Sequence, residues 1–201
     1  MKIVGVYLAA GNSTRMGTHK LALPIGTMSL GSLALETALK SPLDKVYVII
    51  KDTDDTEWIP PHMKDNAKCT IIQCSTSNEG QSESLRCGIQ HAQERHADGV
   101  LVMLADQPFI TVQMISEMIN CMRKKPACRF VATTSNQVIM PPVLFSSYMY
   151  PDLLKLRGDK GARAILQGDF LQKGKLLACN DKRLVFDVDT TADYEILKGF
   201  E

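Results

Sequence analysis

The sequence predicts an α/β chain in three layers, with helices on both faces of a mostly parallel central sheet. Two observations carry this expectation. Short apolar runs alternate with segments of helical period along the whole chain, and the runs are continuous, as strands buried on both faces must be. At 201 residues the chain falls below the roughly 250 at which single cores stop growing, so residues 1–201 are expected to form one domain.

Taken in order, Ile3 to Leu8 reads as the first strand, and SLGSLALETALK, residues 29–40, has the spacing of an amphipathic helix. KVYVII (45–50) is a β-branched run of buried-strand type, and 51–66, polar and Pro-containing, reads as a surface loop with room for a short helix. CTIIQC (69–74) is followed by a helix around Glu83 to Arg95, GVLVML (99–104) by a helix from Val112 to Lys124. RFVATT (129–134) leads to MPPVLF, a short helix, a break at Gly158 and Gly161, and a second short helix. LVFDVD (184–189) reads as the last strand, and Thr191 to Lys198 as the last helix.

The net charge is +1, so the footprint of a dedicated nucleic-acid or anionic-membrane binder is missing, while small charged ligands remain open. No segment approaches the ~20 apolar residues of a membrane span, and the amino-terminal MKIVGVYLAA lacks a signal-peptide pattern, so a cytoplasmic setting is expected. Six scattered cysteines without a C-x-x-C spacing read as structural thiols. His91 and His96 would lie about 140° apart around a helix and share no face as metal ligands. No G-x-S-x-G elbow is present.

Ligands in such sheets sit at the carboxyl ends of the strands, and the suggestive motifs fall there. LAAGNSTRMGTHK (8–20) places Gly11 and Gly17 where backbone amides can approach phosphate oxygens, with Arg15 as a planar fork of donors and Lys20 as a point charge. It fits neither common glycine fingerprint. NEGQSESLRCGI (78–89) offers Ser82 or Ser84 as a helix cap, with Gly80 and Gly88 for close approach. LADQPF (104–109) sets Asp106 at a strand end, and alternation puts Asp187 and Asp189 on the face opposite Val188. Asp106 with Asp187 or Asp189 would make a hard-oxygen magnesium site. With the cationic loop, this describes a metal-bound polyphosphate. His19, and Asp193 and Glu195 in the last helix, read as solvated.

In these stretches the sequence resembles the MobA-like nucleotidyltransferases, and among them the molybdenum cofactor cytidylyltransferases. The likeness runs through LAAGNSTRMGTHKLALP (8–24), GQSESLRCGI (80–89), LADQPFIT (104–111), PVLFSS (142–147), LRGDKGARAIL (156–166) and FDVDTTADYEIL (186–197), in family order. It implies a Rossmann-like nucleotidyltransferase fold and magnesium-dependent transfer of CMP from CTP to the phosphate of Mo-molybdopterin, with release of pyrophosphate. A molybdenum hydroxylase such as xanthine dehydrogenase becomes the expected recipient and transient partner. Sequence departures from the family occur at Gly26-Thr27-Met28, Met140-Pro141 and Gln81, the last two bearing on acceptor and base recognition.

The resemblance implies roles residue by residue. Arg15, Lys20 and Asp106 are the catalytic candidates. The nucleotide would meet Leu8, Ala9, Ala10, Gly11, Ser13, Arg15, Gly17 and Lys20, with Gly80, Gln81, Ser82 and Ser84 beside the base. The acceptor would meet Pro142, Gly158, Asp159, Gly161 and Arg163. Asp106 and Asp189 would hold Mg2+, with Asp187 in reserve. Other readings are transfer to a sugar or polyol phosphate, a pterin carrier or insertion accessory without turnover, and a nucleotide-binding regulator.

Overall fold

The computed structural model describes residues 1–11, 19–75, 80–158, 161–166 and 168–200. Seven strands form the central sheet: β1 (Ile3–Leu8), β4 (Lys45–Lys51), β5 (Cys69–Cys74), β6 (Gly99–Leu104), β7 (Phe130–Ser135), β8 (Val138–Ser146) and β9 (Lys175–Ala178). A two-stranded hairpin, β2 (Pro24–Ile25) and β3 (Met28–Ser29), stands apart. The helices are α1 (Leu30–Lys40), α2 (Pro61–Lys64), α3 (Gln81–Glu94), α4 (Val112–Lys124), α5 (Tyr150–Leu153) and α6 (Thr191–Lys198).

The strand order is β5-β4-β1-β6-β8-β7-β9. β5, β4, β1 and β6 pair in parallel, β8 is antiparallel to both neighbours, and β9 is parallel to β7. The sheet is therefore mostly parallel. The chain moves outward from β1 to β4 and β5, then returns to place β6 on the other side of β1. This reversal opens a crevice at the carboxyl ends of β1 and β6, where ligands of such sheets bind.

Strand alternation sorts the core into two faces. Tyr7, Val48, Leu101 and Met103 pack with Leu35 and Ala38 of α1 and Ile115 and Ile119 of α4. Val4, Val6, Val102 and Phe145 pack on the opposite side with Leu85 and Ile89 of α3 and Leu153 of α5. α3 approaches β1 closely at Gly88, where an added Cβ would lie 2.4 Å from Val6 Cγ1. A smaller cluster of Ile25, Leu30, Val188 and Leu197 ties α6 and the segment before it to the hairpin and α1.

The structure corrects several expectations. LVFDVD is not a strand: Lys182–Val185 form a 3-10 turn, with Asp181 accepting from the Arg183 N–H at its start, and residues 186–189 cross the sheet edge without a ladder. The last strand is KLLA at 175–178, a short edge element. α3 begins at Gln81 after Gly80 at φ +121°, so Ser82 and Ser84 lie buried in its first turn and do not cap it. Residues 51–66 are more than surface loop, because Trp58, Ile59 and Met63 are buried and Trp58 packs on Gly31. No disulfide joins the six cysteines. Among the described residues no helix is long and apolar enough to cross a membrane.

Candidate active site

The crevice between β1 and β6 is built by backbone links before any side chain acts. The Ala105 N–H donates to Leu8 O (3.1 Å), fastening the end of β6 to the end of β1. The Val188 N–H donates to Asp106 O (3.0 Å), drawing the carboxy-terminal segment onto the same point. Val188 is fully buried, so its neighbours Asp187 and Asp189 are presented together at the crevice.

Lys20, in the 3-10 turn Lys20–Ala22, reaches into this junction. Its Nζ donates to Asp106 Oδ2 (2.7 Å), to Asp189 Oδ1 (3.1 Å) and to Val188 O (3.0 Å). Burial alone would push the Lys20 pKa down, but attraction and hydrogen bonding to Asp106 and Asp189 reverse this and leave it raised. Three stretches far apart in sequence thus meet at one positive charge.

The carboxylates retain capacity for a cation. Asp106 Oδ1 and Asp187 Oδ1 are buried and have no hydrogen-bond partner. The Asp187 pKa is raised to about 6, by burial first and then by the Asp106 charge; the nearby Gln107 amide and Lys20 oppose the shift only in part. Hard oxygen donors with unused lone pairs, gathered around a cation already present, suit a divalent ion of the magnesium type. Asp193 shapes the site from behind: Oδ2 accepts from the N–H groups of Asp189 (3.1 Å) and Thr190 (2.8 Å), fixing the turn that carries Asp189 into α6.

The expected nucleotide side lies along the same edge. Leu8, Ala9 and Ala10 are buried at the end of β1, and Gly11 opens to solvent. Ser13, Arg15, Gly17 and Asp159 lie outside the described residues. Gly80 leads into α3, and Ser82 Oγ is buried with no partner at its first turn. The Ser82 N–H donates to Gly158 O (3.1 Å), and Gln81 Oε1 lies where a Gly161 Cβ would come to 2.5 Å. The segments expected to hold nucleotide and acceptor are therefore in direct contact. Arg163 is exposed beside them, whereas Pro142 is buried within β8 and its carbonyl accepts from Thr133 Oγ1.

Three features had little sequence signal. Gln107 is fully buried, and neither polar atom of its amide makes a hydrogen bond of good geometry. Asp193 read as a solvated helix residue. His19 is not simply solvated: Nε2 lies 3.5 Å from Asp54 Oδ2, itself held by the Trp58 indole N–H, and ligand atoms of His19, Asp54 and Asp55 lie within 4.8 Å of one another. A recess of about 300 Å³ between α4 and β9, lined by Thr111, Glu117, Leu177 and Asn180 among others, has no cation in its lining and does not suit a polyphosphate.

Comparisons with known proteins agree with this architecture. The chain is 34% identical to the purine catabolism protein PucB of Bacillus subtilis over 203 residues, covering 98% of this chain and 96% of that protein. Among solved structures, an Rv0371c homologue from Mycobacterium sp. strain JC1 matches with TM-score 0.80 at 28% identity, over 98% of this chain and 96% of that one. Rv0371c of Mycobacterium tuberculosis, solved as a complex with manganese, matches in fold with TM-score 0.77 at 24% identity, over 99% of each chain. Residues 5–176 match the family described as the MobA-like NTP transferase domain, and with the nucleotidyltransferase fold established around the β1–β6 crevice, the chain belongs to that family.

Proposed function

We propose that this protein transfers CMP from CTP to the phosphate of Mo-molybdopterin, giving molybdopterin cytosine dinucleotide and pyrophosphate, with residues 1–201 acting as one domain in the cytoplasm. The observation that carries the reading is the convergence of Lys20, Asp106 and Asp189 on one point at the carboxyl ends of β1 and β6. Pterin carriage alone has no need of such a charge set. The relative named for purine catabolism supports a purine-oxidising molybdenum hydroxylase, such as xanthine dehydrogenase, as the enzyme that receives the product through transient contact.

An acceptor phosphate oxygen attacks the α-phosphorus of CTP, and the bond from that phosphorus to the β-phosphate bridging oxygen breaks as pyrophosphate leaves. A phosphate monoester with a second pKa near 6 is already largely dianionic at pH 7, so no side chain must remove its proton. The work is positioning and charge neutralisation. Lys20 turns from the carboxylates toward the triphosphate, joined by Arg15 and the amides of residues 10–17. Asp106 and Asp189, with Asp187 as the reserve ligand, would hold Mg2+, which supplies Lewis-acid charge when bound. Ala9, Ala10 and Gln81 to Ser84 border the base, and Gly158 to Arg163 the acceptor.

Pyrophosphate release from CTP, GTP, ATP and UTP, each with and without Mo-molybdopterin, tests the proposal. Release that requires both CTP and molybdopterin supports it. Release only with a sugar or polyol phosphate replaces the acceptor, and pterin binding without release under any nucleotide would make the protein a carrier.

A further inference from the structure

The opposite edge of the sheet carries a second charged feature, unrelated to the crevice. β7 runs in the same direction as β6, since both are antiparallel to β8, so Arg129, just before β7, lies at the edge away from the carboxyl ends. The Arg129 guanidinium lies 4.3 Å from the centre of the Tyr148 ring, and the Lys173 ammonium 5.0 Å from that of Phe170. With Met149 and Asp152 these four side chains line a pocket of about 230 Å³.

Backbone bonds fix the geometry. The Arg129 N–H donates to Lys173 O (2.8 Å), and the Ser146 N–H donates to Arg129 O (2.9 Å). Tyr148 is 68% exposed, so its ring is accessible to a partner. Neither Arg129 nor Lys173 has a carboxylate partner among the described residues, and the same holds for Arg123, Lys124 and Lys125 in the stretch leading into β7. Two cations are thus pre-oriented on rings without a direct ion pair, Asp152 being the one carboxylate in the pocket lining.

We propose that this pocket docks an acidic side chain from a surface segment of a partner protein, with Tyr148 and Arg129 as the anchors. Tyr and Arg, both in the lining of this recess, are the residue types enriched among interface hot spots. The pocket is sized for one side chain. Asp152 in the lining offsets one of the two positive charges, which leaves charge for a single carboxylate but not for a polyphosphate, and the net charge of +1 gives no long-range attraction for a nucleic acid. A single carboxylate can instead meet Arg129 in a bidentate contact while its chain covers Tyr148.

The test is independent of nucleotidyl transfer. A fluorescein-labelled octapeptide alternating glutamate and glycine is titrated with the full chain by fluorescence anisotropy, alongside a glutamine-for-glutamate peptide and a labelled single-stranded octanucleotide. The expected result is binding of the acidic peptide alone, weakened at least about tenfold by Arg129→Ala and by Tyr148→Ala, and retained in Tyr148→Phe. These side chains are surface-exposed or half-buried, and unchanged thermal midpoints would establish that the variants fold. Absence of peptide binding, binding indifferent to Arg129→Ala and Tyr148→Ala, or preference for the oligonucleotide would each overturn the proposal.

Discussion

The Lys20 ammonium lies 2.7 Å from the Asp106 carboxylate, and this contact, between groups expected to face a nucleotide and a metal, occupies the centre of the crevice. Lys20 holds the place of a cation, and under the proposed function an incoming metal–nucleotide complex would have to displace it. Lys20→Met is therefore expected to lower CTP turnover by about 10²–10³-fold while tightening Mn2+ binding to the nucleotide-free protein, since the competing charge is gone. Electron paramagnetic resonance titration of Mn2+ checks the second half; weaker binding would mean that Lys20 organises the carboxylates instead of competing for them.

Asp106→Asn keeps the shape of the side chain and removes its charge. Pyrophosphate release should fall about 10³-fold, while stability changes by only about 1 kcal/mol, the difference between a charge-assisted and a neutral hydrogen bond. Steady-state rates and urea unfolding curves measure the two effects. Turnover near that of the parent would remove Asp106 from the metal.

Asp187 makes metal-free stability depend on pH. Its pKa of about 6 in the folded protein exceeds the roughly 3.9 of an unfolded chain. Below about pH 4 both states are protonated and there is no penalty. Between about pH 4 and 6 the unfolded state loses this proton while the folded state keeps it, so stability falls across the window and then levels off. Asp187→Asn should raise the thermal midpoint above pH 6 and have little effect at pH 4. A difference that does not vary with pH would place the carboxyl in water.

Gly88→Ala would press a methyl group into Val6, and neither α3 nor the central strand can yield. A destabilisation of about 1–3 kcal/mol is expected. Combining it with Val6→Ala should recover part of the loss, so that the double variant is less destabilised than the two single variants predict together. Urea unfolding of all four proteins gives the coupling; simple additivity would contradict the contact.

Asp193 acts on Asp189, the proposed metal ligand, through the backbone. Thr190 and Asp189 hold its carboxyl below the usual range, the Thr190 side-chain hydrogen bond being the leading cause. Asp193→Ala should cost about 1 kcal/mol through loss of its half of the capping box with the N-cap Thr190, and raise the divalent-cation concentration needed for half-maximal rate severalfold. An unchanged metal requirement would confine Asp193 to capping.

The parallel strands were legible because burial on both faces leaves an apolar run with no polar interruption, as in KVYVII and GVLVML. LVFDVD misled for a physical reason. Val188 must enter a small core cluster while Asp187 and Asp189 stay at the crevice, and this in-out demand imitates strand alternation although only the Val188 N–H bonds to a strand-end carbonyl. The true edge strand, KLLA, is short and exposed, with no pattern to announce it. α3 starts after Gly80 without a side-chain cap, and the Ser82 N–H in its first turn is satisfied by Gly158 O, so Ser82 and Ser84 signalled a cap that is not made. Asp106 was legible as a carboxylate at a strand end, but Gln107 gains its meaning only from Asp187, distant in sequence, and Asp193 from a local turn in which the Asp189 and Thr190 N–H groups fold back onto it, a geometry that residue type does not announce.

The joining of Lys20 to Asp189 ties the beginning of the fold to a segment far along the chain. Two of the three acceptors of Lys20 Nζ, Val188 O and Asp189 Oδ1, lie beyond the last strand of the sheet, so a chain cut after β9 could keep every strand yet leave this ammonium with Asp106 as its remaining acceptor of the three.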